Sequence, residues 1–153
     1  MEKPLEIFIK SSEGVWKSQQ TIYDFTTKTS SINKLDIKVC LLNTKNLEQD
    51  LDGYICQYKQ KNYKKIIYKY SASKNSCRAS GTLKKIYKNI IKKYIFKVYH
   101  HNYLKVQYLN SSILYTEYTY FIHKNIKLSV LVIKKFNLYT AACFTSAIKI
   151  IKT

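Results

Sequence analysis

From residue 63 to the end, apolar and polar positions alternate with a period of two. β-branched and aromatic residues take turns with lysine, and short turn clusters interrupt the runs. This pattern predicts strands near 63–72, 77–88, 92–100, 103–109, 112–122, 125–136 and 138–151. Upstream, Pro4 to Ser12 opens with a proline where a helix tolerates one and sets Leu5, Phe8 and Ile9 on one face, predicting a short amphipathic helix. A strand follows from Val15 to Phe25, with Trp16, Ser18, Gln20, Ile22 and Asp24 on one face. Thr26 to Asn33 is rich in Ser, Thr, Lys and Asn and reads as a loop before a strand from Lys34 to Asn43. Thr44 to Tyr58 has helical spacing through Leu47, Leu51, Tyr54 and Ile55, so a short surface helix is expected there, with Gly53 inside or ending it. About nine short, evenly spaced strands predict an all-β antiparallel meander that closes into a barrel, with residues 1–153 forming one domain.

Gly14-Val15-Trp16 stands where the helical lead-in gives way to the first strand, and it includes the single tryptophan. A glycine there lets the backbone turn tightly, and the indole two residues on can plug the barrel base. Ser18 and Gln20 fall on the same face as Trp16. Such a strand suits a barrel interior that is a polar-dotted pocket better than one that is a solid core.

Charge changes the picture next. The formal net charge is +18, and it is uneven: residues 1–52 carry seven lysines and eight acids, whereas 53–153 carry twenty Lys or Arg and a single acid. Such a field attracts anions. Lysine supplies 26 of the 27 basic residues, alongside abundant isoleucine, asparagine and tyrosine, which is also the signature of AT-rich coding. Lysine lacks the forked guanidinium that base readout favours, although the interleaved lysines and tyrosines of Tyr63 to Tyr70 are what a nucleic-acid-binding barrel would use. No apolar run is long enough for a membrane helix and no secretory signal pattern opens the chain, which predicts a soluble, unexported protein. Cys40, Cys56, Cys77 and Cys143 include no Cys-x-x-Cys pair and no histidine at finger spacing, so no metal site is expected and the thiols read as buried and free. His100, His101 and His123 read as surface or turn residues.

Glu117 is the acid that remains in the basic part of the chain. Ile113, Tyr115, Thr119 and Phe121 share its face of the strand. Two readings stand at this point. On an aromatic interior face the carboxylate would be partly desolvated and suited to holding or moving a proton, whereas on the outside it would be a solvated partner for one of the lysines. No catalytic triad, glycine-rich phosphate loop or Walker sequence is present, so the chain offers no nucleophile arrangement of its own.

Four runs then carry a family resemblance: Glu13-Gly14-Val15-Trp16-Lys17-Ser18-Gln19-Gln20-Thr21, Glu117-Tyr118-Thr119-Tyr120-Phe121, Asn125-Ile126-Lys127-Leu128, and Ala142-Cys143-Phe144-Thr145-Ser146-Ala147-Ile148-Lys149. Together they resemble the S-type (CpcS/CpeS) phycobiliprotein lyases, in which the corresponding motifs are Trp-x-Ser-Gln-Arg-Thr, Glu-x-Ile-Trp-Phe, Asn-Leu-Arg-Leu-Arg and Ser-Phe-Cys-Ser-Glu-Ile-Arg. The likeness covers nearly the whole chain in order and length, good at both ends and poor in the middle. It implies a lipocalin-like or fatty-acid-binding-protein-like barrel with an N-terminal helix. Within it, an open-chain tetrapyrrole, phycocyanobilin or phycoerythrobilin, is a bound substrate rather than a permanent cofactor.

On this resemblance the protein delivers the bilin to a cysteine of a phycobiliprotein α or β subunit, and that partner supplies the nucleophile. Glu117 matches the acidic residue that contacts the pyrrole nitrogens, and Lys127 matches an arginine important for transfer. Trp16, Ser18, Gln20, Tyr115, Ser129 and Lys149 are the expected ligand-binding positions. Gln20 and Ser129 replace arginines, Ala147 replaces a glutamate and Lys149 an arginine. These losses of bidentate cations predict altered bilin binding or dependence on a partner lyase subunit or a homodimer. A plastid-encoded, stromal protein is expected, with neither nucleic acid nor membrane as partner. A non-catalytic barrel carrying a bilin or another apolar anion is the alternative.

Overall fold

The computed structural model describes residues 4–42, 51–59, 64–73, 79–110 and 112–151. Helix α1 (Pro4–Ser12) leads into strands β1 (Gly14–Asp24), β2 (Thr29–Leu41), β3 (Leu51–Tyr58), β4 (Lys64–Ala72) and β5 (Ser80–Tyr87). Strands β6 (Ile90–Tyr99), β7 (Tyr103–Leu109), β8 (Ile113–His123), β9 (Ile126–Lys135) and β10 (Leu138–Lys149) complete the order. Each strand pairs antiparallel with its neighbours in sequence, and β1 pairs with β10, so the ten-stranded sheet closes on itself as an all-β barrel. Closure removes free edges that would otherwise recruit other chains. Among the described residues no helix is long and apolar enough to cross a membrane.

Alternation places each side chain. Tyr94, Phe96 and Val98 point inward between exposed Lys93, Ile95 and Lys97, and the same rule turns Leu104 and Val106 inward on β7. At one end α1 lies across the barrel and buries Leu5, Phe8 and Ile9. Trp16 is 1% exposed there, its indole Nε1 donating to the Ser12 carbonyl at 2.9 Å. Phe121 packs edge-on against Phe8 at 5.1 Å and tilted against Trp16 at 6.0 Å. The tryptophan plugs the barrel base, as its position after the glycine predicted. Gly14 itself has φ 138°, and an added Cβ would meet the Lys149 side chain at 3.1 Å, so no other residue fits this turn without strain.

Two expectations need correction. The loop predicted for Thr26–Asn33 is mostly strand: the turn spans only Phe25–Lys28, Lys28 takes φ 56°, and Asp24 Oδ1 accepts from the Thr26 and Thr27 amides. Thr29–Asn33 pairs with the end of β1 but is exposed throughout, so its polar composition conceals a strand. The helix predicted for Thr44–Tyr58 is overturned in its second half, since 51–58 is β3, bonded to both β2 and β4; residues 44–50 lie outside the described set. Inward Tyr54 and Cys56 are buried at a two-residue spacing, which competing helical matches in so short a run could not exclude. Gly53 serves that pairing, because a Cβ would collide with the Tyr68 carbonyl of β4.

Candidate functional site

The barrel encloses a cavity of about 180 Å³ between the plugged base and the opposite end, where the 25–28, 88–89 and 136–137 turns lie. Its lining contains Trp16, Ser18, Gln20, Glu117, Lys127 and Ser129, six of the eight site residues expected from sequence. They converge because β1, β8 and β9 each present one face inward: Ser18 pairs through Ala147 with Lys127, and Leu131 stands beside Glu117. Glu117 therefore faces the interior, which resolves the two readings of that residue.

The other two expected residues lie differently. Tyr115 stands beside the cavity and donates to Glu117 Oε2 at 2.7 Å. Burial and the neighbouring carboxylate push the Tyr115 hydroxyl well above the usual tyrosine range, so it stays a donor and fixes the carboxylate in place. Lys149 lies beneath the base and outside the cavity lining: its Nζ donates to the Ser11 carbonyl at 3.3 Å and sits 5.0 Å from the Trp16 ring. A cation at the C-terminal end of α1 complements the helix dipole, and here it staples the last strand to the helix.

Lys127 lies deep in the barrel, its Nζ 4.7 Å from the Trp16 ring and 5.9 Å from Phe121. Desolvation lowers its pKa from the usual lysine value, with Cys56 and Glu117 opposing the shift. The cavity wall is otherwise tyrosine-rich. Tyr54 and Tyr70 share a 2.7 Å hydroxyl–hydroxyl hydrogen bond, and burial raises the Tyr58 hydroxyl to about 12. Neutral, hydrogen-bonded phenols of this kind give polarity without charge.

Lys85 was not anticipated. It lines the same cavity from β5, with Nζ 5.3, 4.6 and 5.4 Å from the rings of Tyr68, Tyr94 and Tyr115, and it donates to Tyr115 Oη at 3.4 Å. Lys85, Tyr115 and Glu117 thus form a chain of donors ending on a carboxylate, held by three aromatic faces. The available signal was parity: Lys85 is two residues from buried Leu83, whereas Lys84 faces out. The site consists of one carboxylate, two lysines and several phenols in an aromatic wall. Such a set can hold an apolar anion and hold or move a proton, and nothing in it resembles an activated nucleophile. Among the described residues no cluster of His, Cys, Asp and Glu could bind a metal. Cys56 and Cys143 are buried, and burial raises the Cys56 thiol to about 12; Cys40, expected to be buried, is exposed because it follows inward Val39 on β2.

No family model matches the chain. A chromophore lyase CpcS/CpeS homolog of Gracilaria tenuistipitata var. liui is 29% identical over 140 residues, covering 90% of this chain and 91% of that protein. Among solved structures, the S-type phycobiliprotein lyase CpeS of Guillardia theta superposes with a TM-score of 0.69 at 9% identity, over 99% of this chain and 95% of that one. A protein of unknown function from the DUF3598 family of Nostoc punctiforme gives a TM-score of 0.61 at 8% identity, over 93% of this chain and 49% of that one. The two structures show the same barrel fold, and the sequence match spans 90% of the chain. The chain is thus similar in sequence to a CpcS/CpeS chromophore lyase homolog and shares its barrel fold with an S-type phycobiliprotein lyase.

Proposed function

We propose that this protein is a phycobiliprotein chromophore lyase, acting in the plastid stroma, that binds an open-chain tetrapyrrole in its barrel and transfers it to a cysteine of a phycobiliprotein α or β subunit. The observation that carries this reading is the inward Glu117, oriented by Tyr115 among Trp16, Lys127 and Lys85, in a chain matched along its length by a chromophore lyase homolog. The bond formed is a thioether. The partner's sulfur adds to the ethylidene carbon on ring A, the π pair of that double bond takes up a proton, and the net change is addition of S–H across C=C without an oxidant. The lyase supplies orientation, a dry wall and a proton-handling group, with Glu117 facing the pyrrole nitrogens and the lysines facing propionates.

The cavity of about 180 Å³ is smaller than the roughly 300–1,000 Å³ usual for drug-sized ligands. A tetrapyrrole therefore enters by displacing side chains of the upper wall, or lies partly in the mouth where a partner's thiol can reach it. Mixing the purified protein with phycocyanobilin or phycoerythrobilin is expected to shift and sharpen the visible spectrum. An unchanged spectrum at micromolar concentrations would remove this function. The second reading is a non-catalytic carrier of a bilin or another apolar anion, and the small volume favours the smaller anion within it. Displacement of a fluorescent fatty acid, with no bilin transfer to any apo-subunit, would select it. Size-exclusion chromatography with and without a second lyase chain tests the expected homodimer or partner-subunit dependence.

A further inference from the structure

The outer surface of β4, β5 and β6 is organised in rows that run across the strands. Lys69 lies directly opposite Lys84, and Lys84 directly opposite Lys93. Their neighbours Tyr70, Leu83 and Tyr94 are buried, so the three lysines all project outward. One row nearer the cavity mouth, Ile67, Ile86 and Ile91 are likewise in register, and Ile91 is 56% exposed. On the other side of the lysine row Ile95 is 62% exposed, and beyond it Lys97 faces Lys105 across β6 and β7.

Like charges directly opposite on adjacent strands are destabilising. Nothing in this part of the chain offsets them. Glu117 is the single acid among residues 53–153, and it faces the interior. On the opposite outer wall a central row is built otherwise: Tyr118, Val130, Phe144, Thr21 and Ile32 follow one another in register across β8, β9, β10, β1 and β2 without a lysine, and on β1 and β2 Lys17 is in register with Asp36. The positive charge is thus concentrated on the β4–β6 face, where an isoleucine row separates the lysine row from further lysines at the turn at residues 88–89. At that turn Lys64 and Lys88 both lie over the Tyr87 ring, 4.4 and 5.4 Å from its centre.

We propose that the β4–β6 outer face is the docking surface for an acidic protein, with carboxylates meeting the Lys69–Lys84–Lys93 row and apolar side chains meeting Ile67, Ile86 and Ile91. Lysine point charges flanked by an apolar ridge match a carboxylate-bearing protein surface, in which a desolvated apolar centre is rimmed by charge. A phosphate backbone would favour the bidentate fork of arginine, which these strands lack. Because the isoleucine row borders the mouth, a protein seated here overhangs the cavity entrance. The identification of this partner as the chromophore acceptor rests on the lyase reading above.

Association of the full chain with apo-phycocyanin and apo-phycoerythrin subunits, followed by biolayer interferometry, tests the surface. Lys84→Glu/Lys93→Glu is expected to slow association about tenfold at low salt, and raising the salt should erase most of the difference. Lys17→Glu/Lys38→Glu makes the same charge change at exposed positions on β1 and β2 and is expected to shift the rate less than about twofold. Lys84→Gln/Lys93→Gln guards against misfolding of the reversed pair and should give an intermediate slowing. Equal slowing by both Glu pairs, no slowing by either, or no association of the wild type with any subunit would overturn the proposal. So would stronger β4–β6-dependent binding to a single-stranded oligonucleotide or to anionic phosphatidylglycerol vesicles. Bilin uptake is read separately in the same variants: face-dependent association without uptake keeps the surface and removes the lyase, whereas uptake without association does the reverse.

Discussion

The two halves of the barrel interior are built from the same alternating strands and do different things. The half under α1 is closed: Phe8, Trp16, Phe121, Val98 and Leu104 pack together there, with Phe8, Trp16 and Leu104 forming the cavity floor, and the indole bonds to the Ser12 carbonyl. The half toward the mouth is lined by Gln20, Thr145, Lys85, Glu117 and a wall of phenols around open space. Packing supplies stability where volume is filled, and chemistry is available where it is not. The lesson is that substitutions should separate by height along the barrel axis more cleanly than by residue type.

The largest effect should come from the closed half. Trp16→Ala is expected to cost about 3–5 kcal/mol in urea unfolding, since it opens a cavity and removes the ring over which Lys127 and Lys149 sit. A loss below about 1 kcal/mol would show that the base is not the structural end. Next, Glu117→Gln should leave stability within about 1 kcal/mol and slow chromophore transfer by about a hundredfold while keeping most bilin binding. Unchanged transfer would take Glu117 out of the chemistry. Tyr115→Phe should give a smaller loss, because it frees the carboxylate to rotate without removing it.

Lys127 tests the boundary between the halves. Its folded pKa is lowered by burial, so between that value and the ordinary lysine value near 10.5 the unfolded chain binds more protons and stability rises with pH. Below that window the buried charge carries its full cost. Lys127→Met is therefore expected to raise Tm by a few degrees at neutral pH, to flatten the alkaline rise and to weaken binding of a carboxylate ligand. A lower Tm at neutral pH would mean that the ammonium's contact with Trp16 outweighs its desolvation. The smallest effect concerns thiols: a maleimide should label Cys40 in the native state and reach Cys56 and Cys143 only on unfolding, as mass spectrometry of digests would read.

Most of this barrel is legible from alternation, because a closed sheet forces one face of every strand inward. The strands from β4 to β10 fall within a few residues of their expected limits for that reason. Legibility fails where inside and outside are equally polar or equally apolar. The first third of β2 has no buried face to mark it, and β3 is short enough to satisfy two periodicities. Within the site, Glu117 was findable as an isolated acid on an aromatic face. Lys85 was hidden among many lysines, and only its step from Leu83 distinguishes it from Lys84. Lys149 sits one register step below the interior, where side chains of inward parity meet the helix instead of the cavity; its place depends on α1, which periodicity within β10 does not show.

Closure of the barrel by β1 on β10 has a consequence for synthesis. Every other ladder is a hairpin that can form as soon as its second strand leaves the ribosome, whereas β1 and β10 meet at Trp16 and Lys149, with the rest of the barrel between them in sequence. A nascent chain halted before β10 emerges holds a curled open sheet with two unpaired edges, and the wall supplied by Thr145 is missing. The enclosed cavity is therefore a property of the finished chain, and until β10 is in place the unpaired edges of β1 and β9 are open to pairing with other strands.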